Sequence, residues 1–257
     1  MAYCGEPTRL GRNAETKSQF NKLLALAGSF LMRKNEENIH NDELYKKYQE
    51  YSNLDRCKIE YRLSGGKKFE LEIDKKALPH LMGLHYLTDI RQLARFADKD
   101  DKQYTSKEVL RDIRNGVLND SLIKSSIYFS KIEDRYNNFT EQNISSLLKA
   151  SKVIIDFNPN VVNGSGEKYE SDKQYGSVLK CKYLFYEKTS AESEHYNHLS
   201  VAIAPSSGYY LESYFTRMDN EYLKNQRFVK IEEIIMRDKT NNIVFQQKKN
   251  VDMVDHQ

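Results

Sequence analysis

Cysteine is scarce. Cys4, Cys57 and Cys181 are odd in number, widely spaced and include no CxxC pair, which argues against a disulfide framework and against a zinc site. A reducing cytoplasm fits this usage. No run of about 18 uncharged apolar residues occurs, so neither a transmembrane helix nor a membrane partner is expected. Residues 1–20 hold no apolar core ahead of a small-residue cleavage site, so no secretory signal is expected either. Tryptophan is absent, and 18 Tyr and 11 Phe take its place. An excess of one charge is also missing: 40 basic against 37 acidic residues leave +3, far from the balance that by itself suggests nucleic acid. Any nucleic-acid argument must therefore rest on a local site. At 257 residues the chain lies between one large and two ordinary domains, at roughly 100–200 residues per domain.

Periodicity organises what is present. Phe20, Leu23, Leu24, Ala27, Phe30 and Leu31 recur at helical spacing within Ala14–Arg33, and a second helix is predicted over Asp42–Tyr51. The period then falls to two. In "CKIEYRLSGGKKFELEID", Ile59, Tyr61 and Leu63 alternate with polar residues, Gly65-Gly66 supply a turn, and Phe69, Leu71 and Ile73 alternate again, the pattern of a hairpin with one apolar face. Helices return over residues 79–150. Thr105 and Glu108 have capping-box spacing, Gly116 stands at a helix end and Thr140 is placed to cap a last short helix. Leu122, Ser125, Phe129, Ile132, Tyr136 and Phe139 form one helical stripe, with Lys124, Tyr128, Lys131 and Arg135 as a basic edge beside it. After Ser151 six strand-like runs follow with short connections, which favours antiparallel pairing. The expected fold is α+β: N-terminal helices and a β-hairpin, a helical middle, then a C-terminal antiparallel sheet. The predicted divisions are an N-terminal helical region at 1–55, a domain at 56–250 and a tail at 251–257.

Several segments invite chemistry. "NGSGEKYES" (163–171) follows a strand-like run but lacks Gly-Lys-Ser/Thr and a following helix, so it reads as a flexible loop rather than a phosphate loop. "HYNH" (195–198) has no neighbouring carboxylate or thiol set and reads as solvated loop histidines. No metal ligands and no cofactor are predicted. In "ALPHLMGLH" (77–85), Pro79 suits the first turn of a helix, and His80 then stands among free backbone N–H groups where the helix dipole disfavours the imidazolium. Two readings stand side by side: a neutral imidazole serving as proton acceptor, or a buried histidine sharing a face with Leu84 and Leu87. His85 is set to pair with Asp89 one turn later. Lys124, Lys131 and Arg135, with Tyr128 among them, read either as a solvated helix face, the commoner case, or as the kind of edge that holds a phosphate backbone. In "YYLESYFTR", strand alternation sends Ser213 and Arg217 to one face and Glu212 to the other, so Glu212 and Ser213 should not serve one site.

"LPHLMGL" at 78–84, the helical middle, "VLKCKYLFYEK", "LESYFTR" and "YLKNQ" together resemble the phage-associated branch of the barnase, EndoU, colicin and RelE nuclease superfamily, over roughly residues 56–235. What the resemblance implies is a helical portion opened by Leu-Pro-His-Leu-x-Gly, an antiparallel sheet with a late Ser-aromatic-aromatic strand, and metal-independent cleavage of RNA. His80 matches the signature histidine and would transfer the proton; Ser213 matches the late-strand serine and would donate to a phosphate oxygen. Arg217, Arg135 and Lys131, with Lys124 and Tyr128, follow as phosphate-binding candidates from the physical argument alone. The implied protein is a ribonuclease-like effector, a toxin or defence protein of a phage or mobile element acting on tRNA or other cellular RNA. RNA is the expected partner, with a protein partner or antidote as the second. The opposing expectation is a non-catalytic binding protein, such as a phage inhibitor of host defence, favoured by near-neutral charge and Tyr-rich strands.

Overall fold

The structure, a computed structural model, describes residues 39–158, 179, 181–189, 194–204, 208–217 and 221–248. The predicted helix at Ala14–Arg33, the segment 163–171 and the tail 251–257 lie outside the described residues. The chain divides into two compact units, Met1–Asp42 and Glu43–Gln257, and the second carries every element named below. Its helices are α1 (Glu43–Ser52), α2 (Leu78–Leu81), α3 (Arg91–Ala97), α4 (Ser106–Arg114), α5 (Asp120–Lys124), α6 (Glu133–Asn138) and α7 (Glu141–Lys149). Its strands are β1 (Lys58–Leu63), β2 (Lys67–Glu72), β3 (Val153–Asp156), β4 (Tyr183–Lys188), β5 (Tyr196–Ile203), β6 (Tyr209–Arg217), β7 (Arg227–Arg237) and β8 (Ile243–Lys248). Among the described residues no helix is long and apolar enough to cross a membrane.

The alternation of residues 58–73 does form a hairpin. Ile59 faces Leu71 and Tyr61 faces Phe69, and Gly65 and Gly66 take φ of +79° and +73° in the turn. Yet the hairpin does not stand apart from a C-terminal antiparallel sheet, as the sequence suggested. A two-stranded unit with one apolar face is marginal alone. Phe69 stacks on Tyr61 at 4.8 Å and on Tyr183 of β4 at 4.4 Å, and meets Tyr209 of β6 at 5.0 Å. The hairpin is thereby drawn into the larger sheet. β1 pairs antiparallel with β7, and β2 meets β6 in a parallel link at Leu71 and Tyr209. The order β1-β2-β6-β5-β4-β3-β7 closes on itself as a seven-stranded barrel, with β8 added along β7. β7 makes the closure possible by its length: Arg227–Lys230 pair with β3, while Ile231–Arg237 pair with β1.

The helical middle follows its caps. Thr105 and Glu108 form the reciprocal capping box at α4, and the Thr140 side chain accepts from Asn143 N at α7. The stripe Leu122–Phe139, however, is not one helix. Asp89 accepts from Ser126 Oγ at 2.5 Å and from Ile127 N at 2.9 Å, and Ser125 Oγ donates back to Leu122 O at 2.8 Å. Such side-chain bonds compete with the helical ladder, so α5 stops, a 3₁₀ turn covers Phe129–Lys131 and α6 begins at Glu133. Ile132, Tyr136 and Phe139 are buried as the stripe required, whereas Ser125 is exposed.

α1, which the sequence grouped with the N-terminal region, is tied into the barrel's unit by the buried Lys47. Its ammonium donates to Phe139 O at 2.9 Å, pairs with Glu43 at 3.5 Å and lies 5.3 Å over the Tyr136 ring. Lys47→Ala leaves the Phe139 carbonyl without that donor and opens a void, and is expected to destabilise the protein by about 2–3 kcal/mol. The check is a lowered urea midpoint with unchanged m value.

Candidate active site

The chain reaches the site through a short, rigid approach. Asp74 caps the 3₁₀ turn at Lys75–Ala77 by accepting from Lys76 N at 2.8 Å. In α2 that follows, Leu78, Pro79 and Leu81 are buried and only His80 is exposed. The helix lasts a single turn. Gly83 takes φ +75° and turns the chain into a second 3₁₀ turn, Leu84–Tyr86, so Leu84 and Leu87 do not continue the face that carries His80. A Cβ on Gly83 would lie 2.9 Å from both Arg135 Nη1 and Ile132 Cγ2. Only a bare backbone lets the Arg135 side chain cross here, with its guanidinium 5.6 Å over the Tyr86 ring.

From the barrel comes the second half of β6. Opposite it, the register shifts between Ser200 and Val201: Ser200 faces Ser213 while Val201 faces Leu211. Glu212 is the extra residue of a β-bulge, which re-aims side chains. Leu211 and Tyr214, three apart, are both buried, and Glu212 and Ser213 both line one cavity. The strand alternation that was to separate them is broken at this point, so that expectation is corrected. Ser200 Oγ donates to Ser213 O at 3.2 Å.

The cavity, about 220 Å³, is lined by His80, His85, Tyr86 and Arg135 from the helical side and by Glu212, Ser213, Phe215 and Arg217 from β6. Tyr222, from the 3₁₀ turn Glu221–Leu223, also lines it. Arg217 Nη2 donates to Tyr222 Oη at 3.4 Å, and its guanidinium lies 5.6 Å from that ring's centre. Phe215 stacks on His198 at 4.9 Å and 7°. His198 is fully buried in β5, with Nδ1 3.0 Å from Tyr196 O, so it is not the solvated loop histidine read from "HYNH".

Of the predicted residues, His80, Ser213, Arg217 and Arg135 converge on this cavity. Lys124, Tyr128 and Lys131 are not among its lining residues. Lys124 pairs with Asp120 at 3.0 Å and Lys131 sits 4.3 Å over the Tyr128 ring; the break at Ser126 distributes the basic edge over separate elements. Sequence reasoning missed His85, Tyr86, Phe215 and Tyr222 as lining residues. His85 does not pair with Asp89, whose carboxylate is taken by Ser126 and Ile127. The signal was Gly83 itself, which ends the helix on which that pairing relied.

Desolvation disfavours the charged form of both imidazoles. His80 is exposed as a residue, yet its ring packs against Phe96 at 4.7 Å and His85 at 5.2 Å, and this partial desolvation lowers its pKa. His85 is held to about 3 by burial first, then by His80 and Arg135, and its Nδ1 is buried without a hydrogen-bond partner. A neutral imidazole can accept a proton, two guanidinium groups can hold an anion, and a serine hydroxyl can donate to it. Among the described residues no three His, Cys, Asp or Glu side chains are grouped as metal ligands would be.

The family model described as "phage-Barnase-EndoU-ColicinE5/D-RelE like nuclease4" matches residues 42–250. The chain belongs to this nuclease-like family. No curated protein and no solved structure matches it. The match takes in α1, the whole barrel and every residue lining the cavity, so the family domain contains the site entire.

Gly83→Ala forces a side chain into the left-handed region and against Ile132, which is buried. A loss of about 2 kcal/mol or more is expected, from about 1–2 for the backbone conformation and the remainder from crowding, read as a shift in urea midpoint. A second expectation concerns pH. Below about pH 6.5 the unfolded chain protonates His85 while the folded chain does not until about 3. Stability therefore falls as pH falls through that window, by up to about 1.4 kcal/mol per unit from this residue. His85→Gln should flatten the dependence of the urea midpoint between these limits by that amount.

Proposed function

We propose that this nuclease-family domain is an endoribonuclease that cleaves RNA without a metal, through attack of the ribose 2′-hydroxyl on the adjacent phosphate. The observation that carries the reading is the meeting of His80, Ser213, Arg135 and Arg217 around one cavity of about 220 Å³, a volume suited to a phosphate and its sugar. Neutral His80 takes the 2′-hydroxyl proton as oxygen attacks phosphorus. Arg135 and Arg217 hold the non-bridging oxygens and, with the Ser213 hydroxyl, stabilise the charge that builds on the phosphorane-like transition state. The bond to the 5′-oxygen breaks, and the proton held by His80 is available to that oxygen. A 2′,3′-cyclic phosphate and a free 5′-hydroxyl result. Tyr86, Phe215 and Tyr222 offer ring faces against which a base can stack. A phage-associated family supports a role as a toxin or defence effector acting on tRNA or other cellular RNA.

Purified protein incubated with total RNA in EDTA is expected to cleave it. His80→Ala should lose about 10²–10⁴-fold in rate while keeping its fold by circular dichroism. Because the base must be neutral and burial lowers its pKa, kcat/KM should rise with pH through a value below about 6.5 and be level at neutral pH. Intact RNA under all conditions, abolition by EDTA, or equal cleavage by His80→Ala would overturn the proposal.

A further inference from the structure

Three hollows follow one another on the domain, each sharing a lining residue with the next. The second, about 510 Å³, shares His80 and Glu212 with the active-site cavity and adds Glu72, Asp74, Tyr210 and Lys76. The third, about 410 Å³, shares Lys76 with the second. Besides Lys76 it is lined by Lys75, Lys107, Arg111, Arg114 and Tyr48. Its one lining anion, Glu108, is engaged in the capping box, accepting from Thr105 Oγ1 at 2.6 Å and Thr105 N at 3.0 Å.

We propose that this third hollow is a second phosphate-binding site, gripping the backbone of the same RNA strand some nucleotides from the scissile bond. The inference rests on the ribonuclease reading above. Lys107, Arg111 and Arg114 follow steps of four and three along α4, so they form one exposed ridge, away from the buried Val109 and Ile113. The ridge is about 10 Å long. Lys76, Lys107 and Arg114 make no ion pair among the described residues, while Lys75 pairs with Asp55 at 3.5 Å and Arg111 with Asp112 at 3.4 Å. The donors are therefore largely available, and Tyr48 sets a half-buried ring beside them for base stacking.

The middle hollow decides which polyanion fits. An acidic polypeptide continuing from the ridge would bring carboxylates against Glu72, Asp74 and Glu212. A nucleic-acid strand can turn a neutral base there, donating its amino group to a carboxylate, while its phosphates pass Lys76. A strand so held spans the ridge and the cavity together, and a fragment too short to reach the ridge does not benefit.

The test uses the full chain carrying His80→Ala, so that RNA stays intact, with and without Lys107→Glu and Arg114→Glu. Binding of single-stranded RNA of about 12 and about 4 nucleotides is read by fluorescence anisotropy over a salt series. The charge reversals should weaken the longer RNA about tenfold or more and reduce its log K against log salt slope by about 1.4, two phosphate contacts at about 0.7 each for a single strand, with less than about a twofold change for the shorter RNA. Unchanged binding of the longer RNA, an equal loss at both lengths, or polyglutamate competing as well as RNA would overturn the site. These readings do not depend on turnover, so a domain that binds in this length-dependent way but never cleaves would sink the ribonuclease reading and leave the second site standing.

Discussion

A guanidinium crosses a bare backbone at Gly83, and the arrangement of the site depends on that crossing. On one continuous helix from Pro79, residues 80 and 85 would be separated by about 140° around the axis, and they could not face one cavity. The left-handed turn at φ +75° cancels the separation, so that both imidazoles line the same cavity at 5.2 Å between ring centres. The missing Cβ also admits Arg135 from α6, 52 residues further along the chain. One glycine thus supplies the fold direction, the pairing of histidines and the entry of a cation. None of these survives a side chain at that position without displacing Ile132 or Arg135.

A matching irregularity acts on the sheet side. The bulge at Glu212 rotates the rest of β6 by one residue, which sends Tyr214 into the core, where its hydroxyl donates to Asn138 O at 2.9 Å. Ser213, Phe215 and Arg217 are left facing the cavity. A carboxylate and a hydroxyl adjacent in sequence come to share one hollow, which regular pleating forbids. β7 carries its own shift where it pairs with β1. Bulges increase local twist, and two of them in the strands that flank the hairpin suit a sheet that must curve far enough to close.

What the chain revealed in advance follows from how local each cause is. The hairpin at 58–72 and the cap at Thr105 were legible because their determinants lie within a few residues of one another. The closure of the barrel was not, since the stacking of Phe69 on Tyr183 joins positions 114 apart. The break in the middle helix was equally hidden: Asp89, 37 residues before Ser126, provides the competing acceptor. Within the site, His80, Ser213, Arg135 and Arg217 could be named from short motifs and helix or strand position. Tyr222 and Phe215 gain their meaning only from Arg217 and the buried His198 behind them. Leu211 and Tyr214, apolar at a spacing of three inside a strand of period two, were the one trace of the bulge in the sequence.

The charge of the molecule makes sense at this local scale. A net +3 spread evenly would hold no polyanion, and two guanidinium groups are instead gathered at one cavity beside two imidazoles and the Glu212 carboxylate. Desolvation lowers the pKa of His80 and His85, and Arg135 adds to the depression of His85. The same guanidinium that discourages an imidazolium at His85 would attract a phosphate into the cavity. On the proposed reading an anion there would partly offset the repulsion felt by a protonated ring, so occupancy itself would ease proton uptake by His80. On the same reading, a base disfavoured as a cation until the substrate's charge arrives, and better able to carry a proton once it has, follows from placing imidazole and guanidinium around one hollow; a general excess of basic residues would not produce it.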